Sequence, residues 1–266
     1  MDWRCMSNLS SEERRSAILE LLAGEASVQV AQLAEMFGVS RVTIRSDLDA
    51  LAHDGKLRRT HGGAISLSKT LTVSVQDRRV NVNAAAKRAI ARTAARFVHD
   101  GDSVLVDSGT TALEFVRALS SHTGVTIVTD DFTIADYIDR ACPALDVLIL
   151  GGSLRKGHRY ITGPLTLRML DMLRPDKAFV TPTSFIPGRG LMTNNQEMAE
   201  LKRAFLGCAG ETYVLMDSSK IDAPGLLWFG TLAGVEAVVM EADPDGSVAT
   251  AAEEAGCQLI IAPSEA

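Results

Sequence analysis

The chain has 266 residues, 46% of them hydrophobic and 23% charged, a composition that builds a large core and excludes a disordered chain. A formal net charge of −6 excludes a protein that is basic throughout, such as a coat laid along nucleic acid, but leaves room for a small basic face. Four cysteines without a C-x-x-C pair and five histidines without ligand spacing predict inert thiols, no disulfide framework and no metal site. No run approaches the ~18 to 20 apolar residues that span a bilayer, and Met1 to Ser10 lacks the apolar core of a signal peptide. A cytoplasmic protein with no membrane partner is the expectation.

Ser10 and Glu13 have the spacing of a capping box, and Ile18, Leu21 and Leu22 then mark one apolar face, which predicts a first helix. A second runs from about Gln29 to Phe37 on Val30, Leu33, Ala34 and Phe37, with Gly38 as its left-handed stop. Ser40 caps a third, Arg41 to His53, in which Ile44, Leu48 and Leu51 face a core and Arg41, Thr43, Arg45, Ser46 and Asp49 face mostly outward. Helix, short turn and capped helix make a helix-turn-helix. After Gly55, residues Lys56 to Ile65 read as two short strands around a basic tip, a wing.

Charge is distributed accordingly. Over residues 1–40, six acids face Arg4, Arg14 and Arg15, whereas over 41–65 Arg41, Arg45, Lys56, Arg58 and Arg59 outnumber Asp47, Asp49 and Asp54. The candidate DNA contacts are therefore Ser40, Arg41, Thr43, Arg45 and Ser46 on the helix, where N-terminal residues reach base edges, and Lys56, Arg58, Arg59 and His61 in the wing. Trp3 and Phe37 form no stacking platform, so double-stranded DNA is expected rather than RNA or a single strand.

Residues 1–65 thus form a winged helix-turn-helix domain, residues 66–83 are polar and aperiodic and read as a linker, and residues 84–266 form a second domain. It opens with a helix from Ala84 to Val98. Strands are expected at Ser103–Asp107, Val125–Thr129, Asp146–Leu150, Lys177–Thr181, Thr212–Asp217 and Val235–Met240, with helices such as Thr111–Ser120, Phe132–Arg140 and Glu197–Cys208 between them. That alternation predicts an α/β fold with a mostly parallel sheet covered on both faces.

Three strand ends carry anion-binding chemistry. Ser108-Gly109-Thr110-Thr111 leads from a strand into a helix N-terminus, which offers N–H groups, hydroxyls and a favourable dipole. Gly151 and Gly152 open a flexible loop carrying Arg155, Lys156 and Arg159, and Asp217-Ser218-Ser219-Lys220 follows another strand. In open α/β sheets the ligand crevice lies beyond the carboxyl ends of the strands, where these loops converge on one anionic small molecule.

The stretch VSRVTIRSDLDALAHDGKLRRTHGGA, Val39 to Ala64, resembles the DNA-binding signature of the DeoR family of bacterial transcriptional regulators, and the resemblance continues to about residue 245. It implies a ribose-5-phosphate-isomerase-like sensor domain that binds a phosphorylated sugar, with no cofactor. It also implies phosphate contacts from Ser108, Gly109, Thr110 and Thr111 and ligand-side roles for Asp107, Gly151, Gly152 and Lys220, with Asp107 suited to a hydroxyl or to capping the loop. Arg155 and Lys156 add charge. The chain departs from the family where Thr129-Asp130-Asp131 replaces the usual Thr-Asn-Ser, so Asp130 is expected to meet sugar hydroxyls or a cation, and Phe179 to Thr183 lacks the usual glycine turn. The expected function is a repressor of carbohydrate-metabolism genes, a homodimer or higher oligomer and not an enzyme. The alternative is a sugar-phosphate isomerase or deaminase with an accessory DNA-binding domain, built on Asp107, Asp130 or Asp131 with Lys220.

Overall fold

A computed structural model describes residues 10–24, 27–54, 56–60, 62–66 and 82–263, in two compact units that divide after Val73. Of the expected linker, residues 67–81 lie outside the described residues.

The first unit comprises α1 (Ser11–Gly24), β1 (Ser27–Gln29), α2 (Val30–Phe37), α3 (Arg41–His53), β2 (Leu57–Thr60) and β3 (Gly63–Ser66). The capping box forms: Ser10 donates to the Glu13 carboxylate from its N–H at 2.9 Å and from its hydroxyl at 2.8 Å. Gly38 ends α2 at φ 65°. Ile18, Leu22, Leu33, Phe37, Ile44, Leu48 and Leu51, the apolar stripes of three helices, meet in one core. Truncating any one of the leucines to alanine there costs about 2–5 kcal/mol.

Two differences from the sequence reading stand out in this unit. The helix expected from Gln29 begins at Val30, because Gln29 is the last residue of β1 and pairs with Gly63. The expected two-stranded wing is a three-stranded antiparallel sheet, in the order β1-β3-β2. A three-residue strand carries too little alternation to be read from sequence.

The second unit begins with α4 (Ala84–Ala95), β4 (Ser103–Val106), α5 (Thr110–Ala118), β5 (Val125–Thr129), α6 (Phe132–Ala141) and β6 (Leu145–Ile149). The segment read as a flexible loop after Leu150 is instead a hairpin, β7 (Ser153–Arg155) with β8 (Tyr160–Thr162). Next come α7 (Pro164–Leu170), β9 (Lys177–Val180), β10 (Ser184–Ile186), β11 (Gly190–Thr193), α8 (Gln196–Phe205), β12 (Glu211–Leu215), β13 (Leu227–Gly230), β14 (Ala237–Met240), α9 (Ser247–Ala255) and β15 (Gln258–Ile261).

Seven strands form one parallel sheet in the order β15-β14-β12-β9-β4-β5-β6. Side chains alternate between its faces. Val104, Val106, Phe179, Tyr213 and Leu215 pack against α4, α5 and α6, while Leu105, Ala178, Val180, Val214 and Val238 pack with α8 and α9. The chain winds outward from β4 through β5 to β6, then returns to β9 and proceeds the other way. Neighbours β4 and β9 therefore flank the topological switch point, where the connections leave in opposite directions and open a crevice at the carboxyl end. A smaller antiparallel sheet, β10-β11-β13, joins this unit.

No helix among the described residues is long and apolar enough to cross a membrane. Cys142 and Cys257 are buried and Cys208 is half-buried, and burial pushes the Cys208 thiol up to about 11. Such a thiol is a poor nucleophile at neutral pH.

Candidate functional site

In the first unit, Ser40 caps α3 by accepting the Thr43 N–H at 3.1 Å, and the two hydroxyls lie 2.9 Å apart. Arg41, Arg45, Ser46 and Lys56 are exposed, as a DNA-reading surface requires. Arg59 is more constrained than expected: its guanidinium pairs with Asp49 on α3 at 2.7 Å and donates to the Gly63 carbonyl at 2.7 Å. It braces the wing against the helix and keeps only part of its charge for phosphate. His61 and the side chain of Arg58 lie outside the described residues.

Two residues of α3 escaped the sequence reading. Val42 is 73% exposed between Arg41 and Thr43, an apolar group of the kind that touches a thymine methyl. Asp47 is buried and takes the Nε groups of Arg14 at 2.5 Å and Arg15 at 3.1 Å, which ties α1 to α3.

In the second unit a cleft of about 510 Å³ opens at the carboxyl ends of β4, β9 and β12. Its wall on the β4 side is the turn Ser108, Gly109, Thr110 and Thr111, where α5 begins, and here the first-turn N–H groups have no intrahelical carbonyl to reach. Arg155, His158 and Tyr160 of the β7–β8 hairpin stand beside it. Thr181, Pro182 and Thr183 form the middle, together with Thr193, Asn194 and Asn195. On the β12 side stand Asp217, Ser219 and Lys220, with Val82 and Lys87 from the start of α4. Of the residues expected at the ligand, Ser108, Gly109, Thr110, Thr111, Arg155 and Lys220 line this cleft.

Five expected ligand residues do not. Asp107 is fully buried below the turn: its Oδ1 accepts the Ser108 N–H at 2.8 Å, and its Oδ2 accepts the Thr181 N–H at 2.8 Å and the ammonium of Lys202. It joins β4 to β9 across the switch point and caps the turn through Ser108, the second of the two roles expected of it. Gly151 and Gly152 are packing positions; a Cβ on Gly152 would lie 2.3 Å from the Thr166 hydroxyl oxygen and 2.6 Å from the Thr162 carbonyl oxygen. Lys156 is exposed at the hairpin turn and is not among the residues that line the cleft, although Arg155 and His158 on either side of it are. Asp130 is fully buried, and both its carboxyl oxygens lack a hydrogen-bond partner within the described protein. Burial, and then the Asp107 and Asp131 carboxylates, push its acid well above the usual carboxylate range, against the opposing pull of Lys202.

Asp131, the second departure from the family pattern, has a structural task. Its Oδ1 caps α6 by accepting the Thr133 N–H at 2.7 Å and the Ile134 N–H at 3.3 Å, while Oδ2 accepts the Gly109 N–H at 3.0 Å. The Gly109 N–H is therefore already taken, and Thr110 and Thr111 are the first-turn residues of α5 that line the cleft.

Lys87 and Lys202 were missed. Each is only 4% exposed, and each holds a core-facing place on its helix: Lys87 precedes Ile90, Ala91 and Ala94 at i+3, i+4 and i+7, and Lys202 follows Met198 at i+4. A lysine on an apolar stripe was the available signal, since burying it demands partners.

Comparison with known proteins gives a consistent picture. Residues 14–70 match the family described as DeoR-like helix-turn-helix domain, and residues 82–242 match the DeoR C terminal sensor domain. The chain is 30% identical over 254 residues to the transcriptional repressor AccR of Agrobacterium fabrum, covering 95% of this chain and 98% of that one. It is 30% identical to a putative aga operon transcriptional repressor of Escherichia coli O157:H7, at 94% of both chains, and 27% identical to the transcriptional repressor GlcR of Bacillus subtilis, at 94% and 96%. Among solved structures, ribose 5-phosphate isomerase A of Methanocaldococcus jannaschii matches 51% of this chain and 53% of its own at 19% identity, with a TM-score of 0.37. Likeness at that level says nothing about ligand or activity.

Proposed function

Because the chain belongs to the DeoR family of DNA-binding transcriptional regulators, we propose that it is a repressor of carbohydrate-metabolism genes, released or retuned by a phosphorylated sugar. The observation that carries the sensing half of this reading is the cleft at the switch point. One wall is a helix N-terminus with free first-turn donors, a built-in anion site. Its middle is lined by the hydroxyls of Thr181, Thr183 and Thr193 and the amides of Asn194 and Asn195, groups that pair with a polyol.

The carboxylates support a sensor over an enzyme. Asp107 is held by Lys202 and Thr181, Asp131 by a helix cap and Gly109, and Asp130 is sealed from the cleft, so none of the three is placed as a general base beside Lys220. Val82 and Lys87 follow the connecting segment in sequence, so occupancy of the cleft has a covalent route to the DNA-binding unit. Operator half-sites are read by symmetric dimers, which makes a homodimer the minimal assembly.

The test is binding of the full chain to duplex DNA from its own promoter region at two salt concentrations. With about six phosphate contacts per dimer, affinity falls roughly 10³-fold between 50 and 200 mM salt. Salt-independent association overturns the basic face as the DNA surface.

A further inference from the structure

We propose that Val42 is a base-reading residue: it packs in the major groove against the 5-methyl group of a thymine, and each operator half-site carries that thymine. The proposal rests on α3 being the helix that reads DNA, and it names one base that α3 reads.

The core of the first unit fixes which way α3 faces. Ile44, Asp47, Leu48 and Leu51 are its buried residues, so at about 100° per residue the outward direction lies opposite them. Val42 falls at the centre of that outward face, with Arg45 on one side of it, Ser46 on the other and Asp49 two turns along. It is also the second residue of the helix, in the first turn, where a recognition helix comes closest to base edges.

Val42 is 73% exposed, whereas Met36, the other exposed large hydrophobic among the described residues of this unit, is 37% exposed. A lone apolar side chain on a surface is ordinary. This one stands in the middle of a face otherwise made of charged and hydrogen-bonding groups. Helix formation does not ask for it, because a β-branched residue is a poorer helix former than alanine, glutamate or lysine at a solvent-facing position.

The neighbours of Val42 narrow what it can touch. Ser40 accepts the Thr43 N–H at 3.1 Å and the two hydroxyls lie 2.9 Å apart, so this pair is engaged with itself. Asp49 pairs with Arg59 at 2.7 Å, and the buried Asp47 pairs with Arg14 and Arg15. Arg41 and Arg45 are exposed beside Val42 and suit guanine or phosphate, while His53 stands at the far end of the helix. Valine has no donor or acceptor. Of the groups that base pairs present in the major groove, the thymine 5-methyl is the apolar one, and it is the group against which a valine gains by leaving water.

The experiment is a thymine scan of the operator. The full chain is footprinted on duplex DNA from its own promoter region, and each thymine of the protected site is replaced in turn by deoxyuridine, which removes the 5-methyl and leaves the hydrogen-bonding groups of the base in place. At one thymine in each half-site the replacement should weaken binding about threefold to fivefold, the worth of one buried methyl group. Val42→Ser, which has no methyl to offer, should lose the response at that position and keep the parent's responses elsewhere. Val42→Ala, which keeps a smaller apolar group, should fall between the two. Both variants should melt with the parent, since Val42 is exposed. A protected site in which no thymine responds to deoxyuridine, or a thymine that responds equally in Val42→Ser, would overturn the proposal alone; absence of any protected site would overturn the reading of α3 beneath it.

Discussion

Asp131 reaches from the end of β5 to accept the Gly109 N–H at 3.0 Å, so a carboxylate of the protein already holds one donor of the turn proposed to take an anion. The same side chain caps α6 through Thr133 and Ile134. It fixes the turn relative to the neighbouring strand and limits an incoming anion to the donors that remain.

Asp131→Ala removes a helix cap worth about 1 kcal/mol and a charge-assisted bond to Gly109 of similar size. For a unit of this length the melting temperature falls by roughly 4–8 °C. Asn is as good a cap as Asp, so Asp131→Asn should lose less than half of that. Thermal melts of the two variants decide; equal losses would contradict the capping role.

The buried Asp107–Lys202 pair makes a prediction of a different kind. Lys202→Met strands a buried carboxylate and should cost about 3 kcal/mol or more, whereas the double variant Asp107→Asn with Lys202→Met removes both charges and should recover much of the loss. A double-mutant cycle by denaturant unfolding measures the coupling. Additive losses would mean that the two groups do not depend on each other.

Asp130 sets a pH dependence. Its folded-state acid is raised, so the stability it contributes is complete below the ordinary carboxylate value near about pH 4 and is lost as pH rises through the folded value. Asp130→Asn carries no such titration. The melting temperature of the variant relative to the parent should therefore climb as pH goes from 5 to 8, and parallel curves would contradict it.

In the DNA-binding unit, Arg41→Ala should lower operator affinity by about 1–3 kcal/mol without changing thermal stability, since Arg41 is exposed. Asp47→Ala should instead lower the melting temperature, because it removes the carboxylate that accepts from Arg14 and Arg15 and ties α1 to α3, and should lower operator affinity only as far as the unit unfolds. Fluorescence anisotropy and melting curves on the same preparations separate the two effects.

What could be read in advance follows from the range of each interaction. The helix stripes of Ile44, Leu48 and Leu51, the Ser10 and Ser40 caps and the strand ending in Val106 are local patterns, and all were legible. The hairpin Ser153–Thr162 was not, because strands of three residues complete barely one alternation. Nor were the partners of Asp47 and Asp107, which lie 33 and 95 residues away in Arg14 and Lys202. The glycine pair after Leu150 looked like a ligand loop because close packing and ligand approach demand the same residue, and only the Thr166 hydroxyl beside Gly152 tells them apart.

The most direct measurement is the affinity of the full chain for its own promoter DNA, titrated with phosphorylated sugars, for the parent and for Thr110→Ala. The predicted result is that at least one compound shifts the parent's DNA affinity about fivefold or more, and that Thr110→Ala binds the DNA as the parent does but loses that shift. A parent unmoved by every compound, or a Thr110→Ala variant that loses DNA binding itself, would contradict control of the DNA-binding unit by an anion in the cleft.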